Sequence, residues 1–146
     1  MRVKSLNFKN YRNLQEQEIN FDEGVNVIYG ENAQGKTNIL EAVWLLTGAR
    51  SFRGTKDKDL VCFGKPCSYI DGKVEFNERK NEGENEESGE IWEKELKILL
   101  KDKKRMAEVN GVNRGSAPNI IGLFKAVIFS PEHIFLIKGG PENRRK

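Results

Sequence analysis

Histidine occurs once in this chain, cysteine, methionine and tryptophan twice each, and proline four times in 146 residues. These scarcities exclude several kinds of function. A structural zinc site needs four Cys or His ligands at close spacing. Cys62 and Cys67 stand five apart around FGKP, and His133 is far off in sequence, so the two cysteines read as plain, semi-buried thiols. Nothing approaches the run of about 20 apolar residues that a membrane-crossing helix requires. The basic opening MRVKSLNFKNYRN leads into no continuous apolar segment, which argues against a secretory signal and predicts a cytoplasmic chain. No N-K-x-D base-reading motif occurs, which weighs against a GTPase.

Hydrophobic residues at 37% and charged residues at 32% describe a polar chain of one domain's size, long enough to bury an ordinary core. A net charge of +3 is compatible with a polyanionic partner and too mild to establish one. The charge is uneven. NERKNEGENEESGE (77–90) is acidic, whereas KDKKR (101–105) and NRRK (143–146) are basic.

Alternation of Leu6 with Phe8 and of Ile19 with Phe21 predicts two half-buried strands, with KNYRNLQEQ (9–17) as the turn between them. Residues 25–29 predict a short strand, central because Val27, Ile28 and Tyr29 leave no polar face. A helix follows from Thr37 to Leu46, with Gly48 as its C-terminal stop. Residues 49–66 read as a long loop with a short element at its end. Residues 69–76 and 91–100 predict paired strands, and the acidic stretch at 77–90 a flexible hairpin tip. Another strand is expected over 105–112, with Asn110-Gly111 a tight-turn signal. Residues 120–124 predict one or two helical turns, and 126–129 an apolar strand. Ser130-Pro131-Glu132 has the form of a helix start. Pro141 and ENRRK read as a second one, so the polypeptide is expected to continue into a helical arm from 141–146.

The stretch VNVIYGENAQGKTNILEAV carries the chemistry. GENAQGKT fits G-x-x-x-x-G-K-[ST], with Gly30, Gly35, Lys36 and Thr37 in the specified places and Glu31, Asn32, Ala33 and Gln34 between them. Glycines let the backbone curl until successive N–H groups converge on a phosphate. A helix starting at Lys36, with Asn38 in its first turn, directs its positive end at the same group. Lys36 brings a full charge to the β- and γ-phosphates, and the Thr37 hydroxyl suits Mg²⁺. A strand before the loop and a helix after it are the context the motif requires.

Hydrolysis needs more. An apolar strand ending in Asp normally holds the metal and orients the attacking water. KILLKD (97–102) interrupts its apolar run with Lys101, and AVIFSPE (126–132) has Ser130 where the Asp belongs. The machinery is incomplete.

FKNYRN, then GENAQGKTNILEA, then ARSFRG, and later IFSPEHIFLIKGGPENRRK together resemble the RecF family over the whole chain. These are bacterial recombination-repair ATPases related to the heads of the structural-maintenance-of-chromosomes (SMC) proteins. The resemblance implies an α/β fold, the N-terminal lobe of an ABC-type ATPase head, with a mixed, largely antiparallel sheet around the phosphate-loop strand and helix. It also implies that the metal-holding Asp and the Leu-Ser-Gly-Gly-type signature lie beyond residue 146. ATP would sit between two protomers of a dimer, so the full-length dimer is expected to hydrolyse ATP and this portion to bind it without turnover.

By the same resemblance, Arg12 and Asn13 match a loop that reaches the base and phosphates; the plain alternative for Arg12 is a solvated turn residue. Arg53 matches an arginine near both ATP and DNA, or is a surface loop charge. Ser130-Pro131-Glu132-His133 stands where related heads carry a γ-phosphate-sensing glutamine. DNA is the implied partner, at junctions of single and double strands, with RecR and RecO. Arg50, Arg53, Lys56 and Lys58 cluster after the nucleotide helix and Lys101 to Arg105 form a second basic patch, suited to sequence-independent phosphate contacts or simply solvated. A small phosphate-loop kinase and an architectural SMC-type head are the rival readings.

Overall fold

The computed structural model describes residues 1–77 and 91–129. Six strands form one antiparallel sheet in the order β2-β1-β3-β4-β5-β6. They are β1 (Arg2–Tyr11), β2 (Leu14–Asn20), β3 (Cys67–Asn77), β4 (Ile91–Lys101), β5 (Lys104–Val109) and β6 (Val112–Ser116). Among the described residues one α-helix, α1 (Lys36–Leu45), joins them, with short 3₁₀ helices at Asp57–Leu60 and Ala117–Ile120.

The strands follow the period-2 rule of a sheet with one buried face. Ile70, Val74 and Phe76 of β3 are buried, as are Leu96, Ile98 and Leu100 of β4 and Ala107 and Val109 of β5. With Leu6, Phe8, Tyr11 and the α1 residues Ile39, Ala42 and Leu45, they make one core. The opposite face is polar and carries cross-strand ion pairs such as Arg2–Glu75 at 2.9 Å and Lys97–Asp71 at 3.5 Å.

The connections are tighter than the sequence suggests. A two-residue turn, Arg12-Asn13, replaces the expected nine-residue one, because β1 and β2 stay paired up to Tyr11 and Leu14. Asn110-Gly111 forms its expected turn with both residues at positive φ, 51° and 74°, so the predicted strand at 105–112 divides into β5 and β6. Asp102 and Lys103, at φ 52° and 61°, make an equivalent turn between β4 and β5. The expected helical turn at 120–124 falls earlier, at Ala117–Ile120. The long loop expected at 49–66 holds the first 3₁₀ helix and touches β1 through a bridge between Tyr11 and Val61.

Two expected strands do not join the sheet. Residues 25–29 form no strand and are unpaired among the described residues, with Val25 91% and Tyr29 89% exposed. Residues 126–129 are likewise unpaired, with Phe129 89% exposed. The sheet is therefore wholly antiparallel, and the segment leading into the glycine loop lies outside it. A strand is stable only against a neighbour's free N–H and C=O groups. Within the described chain the sheet's free edges are those of β2 and β6, and neither apolar segment pairs with them. The acidic tip beyond Asn77, the helix starts at Ser130 and Pro141, and His133 lie outside the described residues. Among those described, no helix is long and apolar enough to cross a membrane.

Candidate functional site

Helix α1 begins without a side-chain cap; Gly35 caps it in a left-handed conformation, φ 94°. A Cβ on Gly35 would also stand 2.7 Å from a methyl of Leu14 and 3.1 Å from Asn13 Oδ1. Glycine is thus demanded twice, by the torsion and by the turn pressing on it. The amides of Asn38 and Ile39 both donate to Gly35 O. Those of Lys36 and Thr37 come before them at the positive end of the helix, where an anion is the natural acceptor.

Lys36 folds back over the loop, its Nζ donating to Gly30 O at 2.8 Å and Glu31 O at 2.6 Å. Asn32, Ala33, Gly35, Lys36, Thr37, Asn38 and Arg53 line a cleft of about 270 Å³. Gln34 is exposed and outside that lining. The exposed Thr37 hydroxyl makes no hydrogen bond within the described residues. The β1–β2 turn is laced to the loop. Asn13 Nδ2 donates to Ala33 O at 3.1 Å, Asn38 Nδ2 to Asn13 Oδ1 at 2.7 Å, and Arg53 Nη1 to Asn38 Oδ1 at 2.9 Å.

Beside this cleft, sharing Asn38 and Arg53 with it, lies a cavity of about 640 Å³ that Arg12, Asn13, Lys58, Lys65 and the fully exposed Phe63 also line. Arg12 does not stand free there. Its Nε and Nη2 clasp the Glu41 carboxylate, Nη2 at 2.7 Å, and Nη2 also donates to Thr55 Oγ1 at 2.8 Å. Burial lowers the tendency of this guanidinium to stay charged, but the Glu41 hydrogen bonds and charge outweigh that and raise its pKa. Sequence reading missed Glu41, although a carboxylate within the Ile39–Ala42–Leu45 stripe is the signal that could have shown it.

The expected polyanion residues divide. Arg53 belongs to the loop cleft. Arg50, Lys56 and Lys58 line another cavity, of about 450 Å³, with Lys103, which brings the second basic patch beside the first; Lys58 also borders the 640 Å³ cavity. Asp57, in the same lining, is ion-paired with buried Arg105 at 3.0 Å, and Arg105 Nη1 also donates to Ala49 O. None of Arg50, Lys56, Lys58 or Lys103 has a carboxylate partner among the described residues. No cluster of three or more His, Cys, Asp or Glu side chains suited to a metal occurs among them either.

A family model described as the RecF/RecN/SMC N-terminal domain matches residues 2–133. The chain belongs to that family. Within the RecF/RecN/SMC family its likeness is to RecF. It is 43% identical over 147 residues to the DNA replication and repair protein RecF of Caldanaerobacter subterraneus subsp. tengcongensis, covering 100% of this chain and 37% of that protein. The RecF of Streptococcus equi subsp. zooepidemicus is 40% identical over 146 residues, 100% of this chain and 36% of that one. Among solved structures, the recombination mediator protein RecF-ATPrS in the RecFOR pathway superposes with a TM-score of 0.81 at 42% identity, covering 99% of this chain and 36% of that one. A RecF-ATP structure matches with a TM-score of 0.78 at 39% identity, over 99% and 37% of the two chains. The chain thus spans a little over a third of the length of these RecF proteins.

Proposed function

We propose that the chain is the ATP-gripping N-terminal part of a RecF-like DNA repair protein. One observation carries this: Lys36, the first amides of α1 and Arg53 converge on a cleft continuous with a roomier cavity beside the β1–β2 turn. A triphosphate tail suits the cleft, because fixed amide dipoles and one ammonium replace its hydration. The base and ribose fall toward Arg12, Asn13 and Phe63, and Thr37 offers its hydroxyl to a Mg²⁺ held jointly with the phosphates. That relatives of 42% and 39% identity are described with ATPrS and ATP supports the same ligand here.

In this reading the catalytic Asp and the signature segment come from elsewhere in the protein and its dimer partner, so ATP binding closes two heads and hydrolysis releases them. Unpaired apolar segments at 25–29 and 126–129 fit a head completed by further strands. The cavity of Arg50, Lys56, Lys58 and Lys103 takes a DNA backbone without reading bases. Junctions of single- and double-stranded DNA, RecR and RecO, and a cytoplasmic location complete the proposal. The test is a Mg-ATP titration of the protein and of Lys36→Ala. Loss of affinity in the variant is expected; equal affinities would reject the site.

A further inference from the structure

Glu41 lies in the second turn of α1 with its side chain wholly buried. An ionised carboxylate withdrawn from water is costly unless every lone pair is answered. Here Oε2 accepts from the Tyr11 phenol at 2.8 Å and from Arg12 Nε, while Oε1 accepts from Arg12 Nη2 at 2.7 Å and from the Ser51 hydroxyl. Burial pushes the carboxyl up, yet the hydrogen bonds from Arg12, Ser51 and Tyr11, with the Arg12 charge, hold it below the ordinary carboxylate range.

Stability alone does not explain this arrangement. A buried ion pair is commonly matched or bettered by packed apolar side chains, and an apolar residue here would simply continue the core stripe of α1. What the carboxylate does is geometric. It occupies the Nε–Nη2 edge of Arg12, whose backbone is already held at φ 51° and whose amide donates to Leu60 O at 2.9 Å. Nη1 is left without a partner among the described residues, on a side chain that lines the 640 Å³ cavity. Glu41 lines neither that cavity nor the loop cleft. A fork-clamped guanidinium loses little freedom when it engages a ligand.

We propose that Glu41 is a positioning residue of the nucleotide site, locking Arg12 as a fixed donor beside the cavity without touching the ligand. This rests on the reading of the site given above. The experiment is Mg-ATP affinity in the full gene product for Glu41→Gln, Arg12→Lys and the double variant, with circular dichroism as the check on folding. Arg12→Lys keeps the charge beside Glu41 and removes the two-pronged clasp. Each single variant is expected to weaken binding about tenfold, and the double to bind no more weakly than Arg12→Lys alone. Effects that multiply, or no effect from Glu41→Gln, would overturn the proposal.

Should Glu41→Gln fail to fold, Tyr11→Phe removes one brace and leaves both charges, the Tyr11 hydroxyl having no other partner among the described residues. It should weaken binding about threefold with Arg12 present and not at all beside Arg12→Lys; equal losses in both backgrounds would overturn the proposal. Lys36→Ala separates the two levels. Lost affinity there together with multiplying effects rejects only the role of Glu41, whereas unchanged affinity rejects the site and the positioning role together.

Discussion

Leu46, at the end of α1, rests directly on the backbone of Gly72 in the middle of β3; a Cβ built on Gly72 would lie 2.2 Å from Leu46 Cδ1. This is where α1 meets the sheet, and both residues are buried. Gly72→Ala should therefore force α1 outward, destabilising the protein by about 1–3 kcal/mol. A urea melt would show it as a lower midpoint at unchanged slope. An unchanged midpoint would mean that the helix slides aside without cost.

Arg105 ties β5 to the basic loop through Ala49 O and Asp57. Arg105→Met keeps the apolar stem and loses both contacts, leaving Asp57 without its counter-charge. A loss of about 2 kcal/mol is expected, with amide exchange accelerated over residues 49–58. Polyanion binding should weaken as well, since an uncompensated carboxylate then lines the cavity of Arg50, Lys56 and Lys103. Exchange confined to β5 would contradict this account.

Asp71 supplies a pH signature. Burial, followed by its neighbour Glu95, raises its pKa to about 6, and Lys97 only partly offsets this. The folded state thus holds its proton more tightly than the unfolded chain, so stability contributed by protonated Asp71 is lost as pH rises from about 4 to above 6. Asp71→Asn removes that penalty. It should stabilise the protein by about 1–2 kcal/mol at pH 7.5 and change nothing at pH 3. Thermal melts across this range would decide, and a gain independent of pH would refute the charge explanation.

Thr37→Val tests the metal. The hydroxyl is exposed and makes no hydrogen bond within the described residues, so folding should be unaffected. ATP affinity measured with EDTA should match that of the unaltered protein, while the gain on adding Mg²⁺ should shrink about tenfold or more. An intact Mg²⁺ gain would remove Thr37 from the proposed coordination.

What could be read beforehand follows a physical divide. The glycine loop, α1 and the β3–β4 pair were legible because their signals are local: a fixed spacing, a 3.6-residue stripe, a two-residue alternation. Asn110-Gly111 was equally plain, since both residues tolerate positive φ. The Asp102-Lys103 turn was not, because a lysine at φ 61° advertises nothing. In β1 the alternation of Leu6 and Phe8 places residue 10 inward, yet Asn10 turns at φ 54° and Tyr11 takes the core position. That reversal lets the Tyr11 phenol reach Glu41, which no linear pattern announces. Residues 25–29 and 126–129 show the converse failure. Their composition is strand-like, but pairing belongs to a partner strand, and neither segment lies along a free edge of the described sheet.

Lys36 closes on the carbonyls of Gly30 and Glu31 and so behaves as a latch, keeping the loop curved by an internal contact. In the proposed reading, a ligand that opens it has to replace two acceptors at once, so its affinity is an exchange of one set of oxygens for another. A polyphosphate tail has oxygens enough for the swap, whereas a single small carboxylate offers too little to displace the loop's own grip. Selectivity for long phosphate chains would begin there, before any contact with the base.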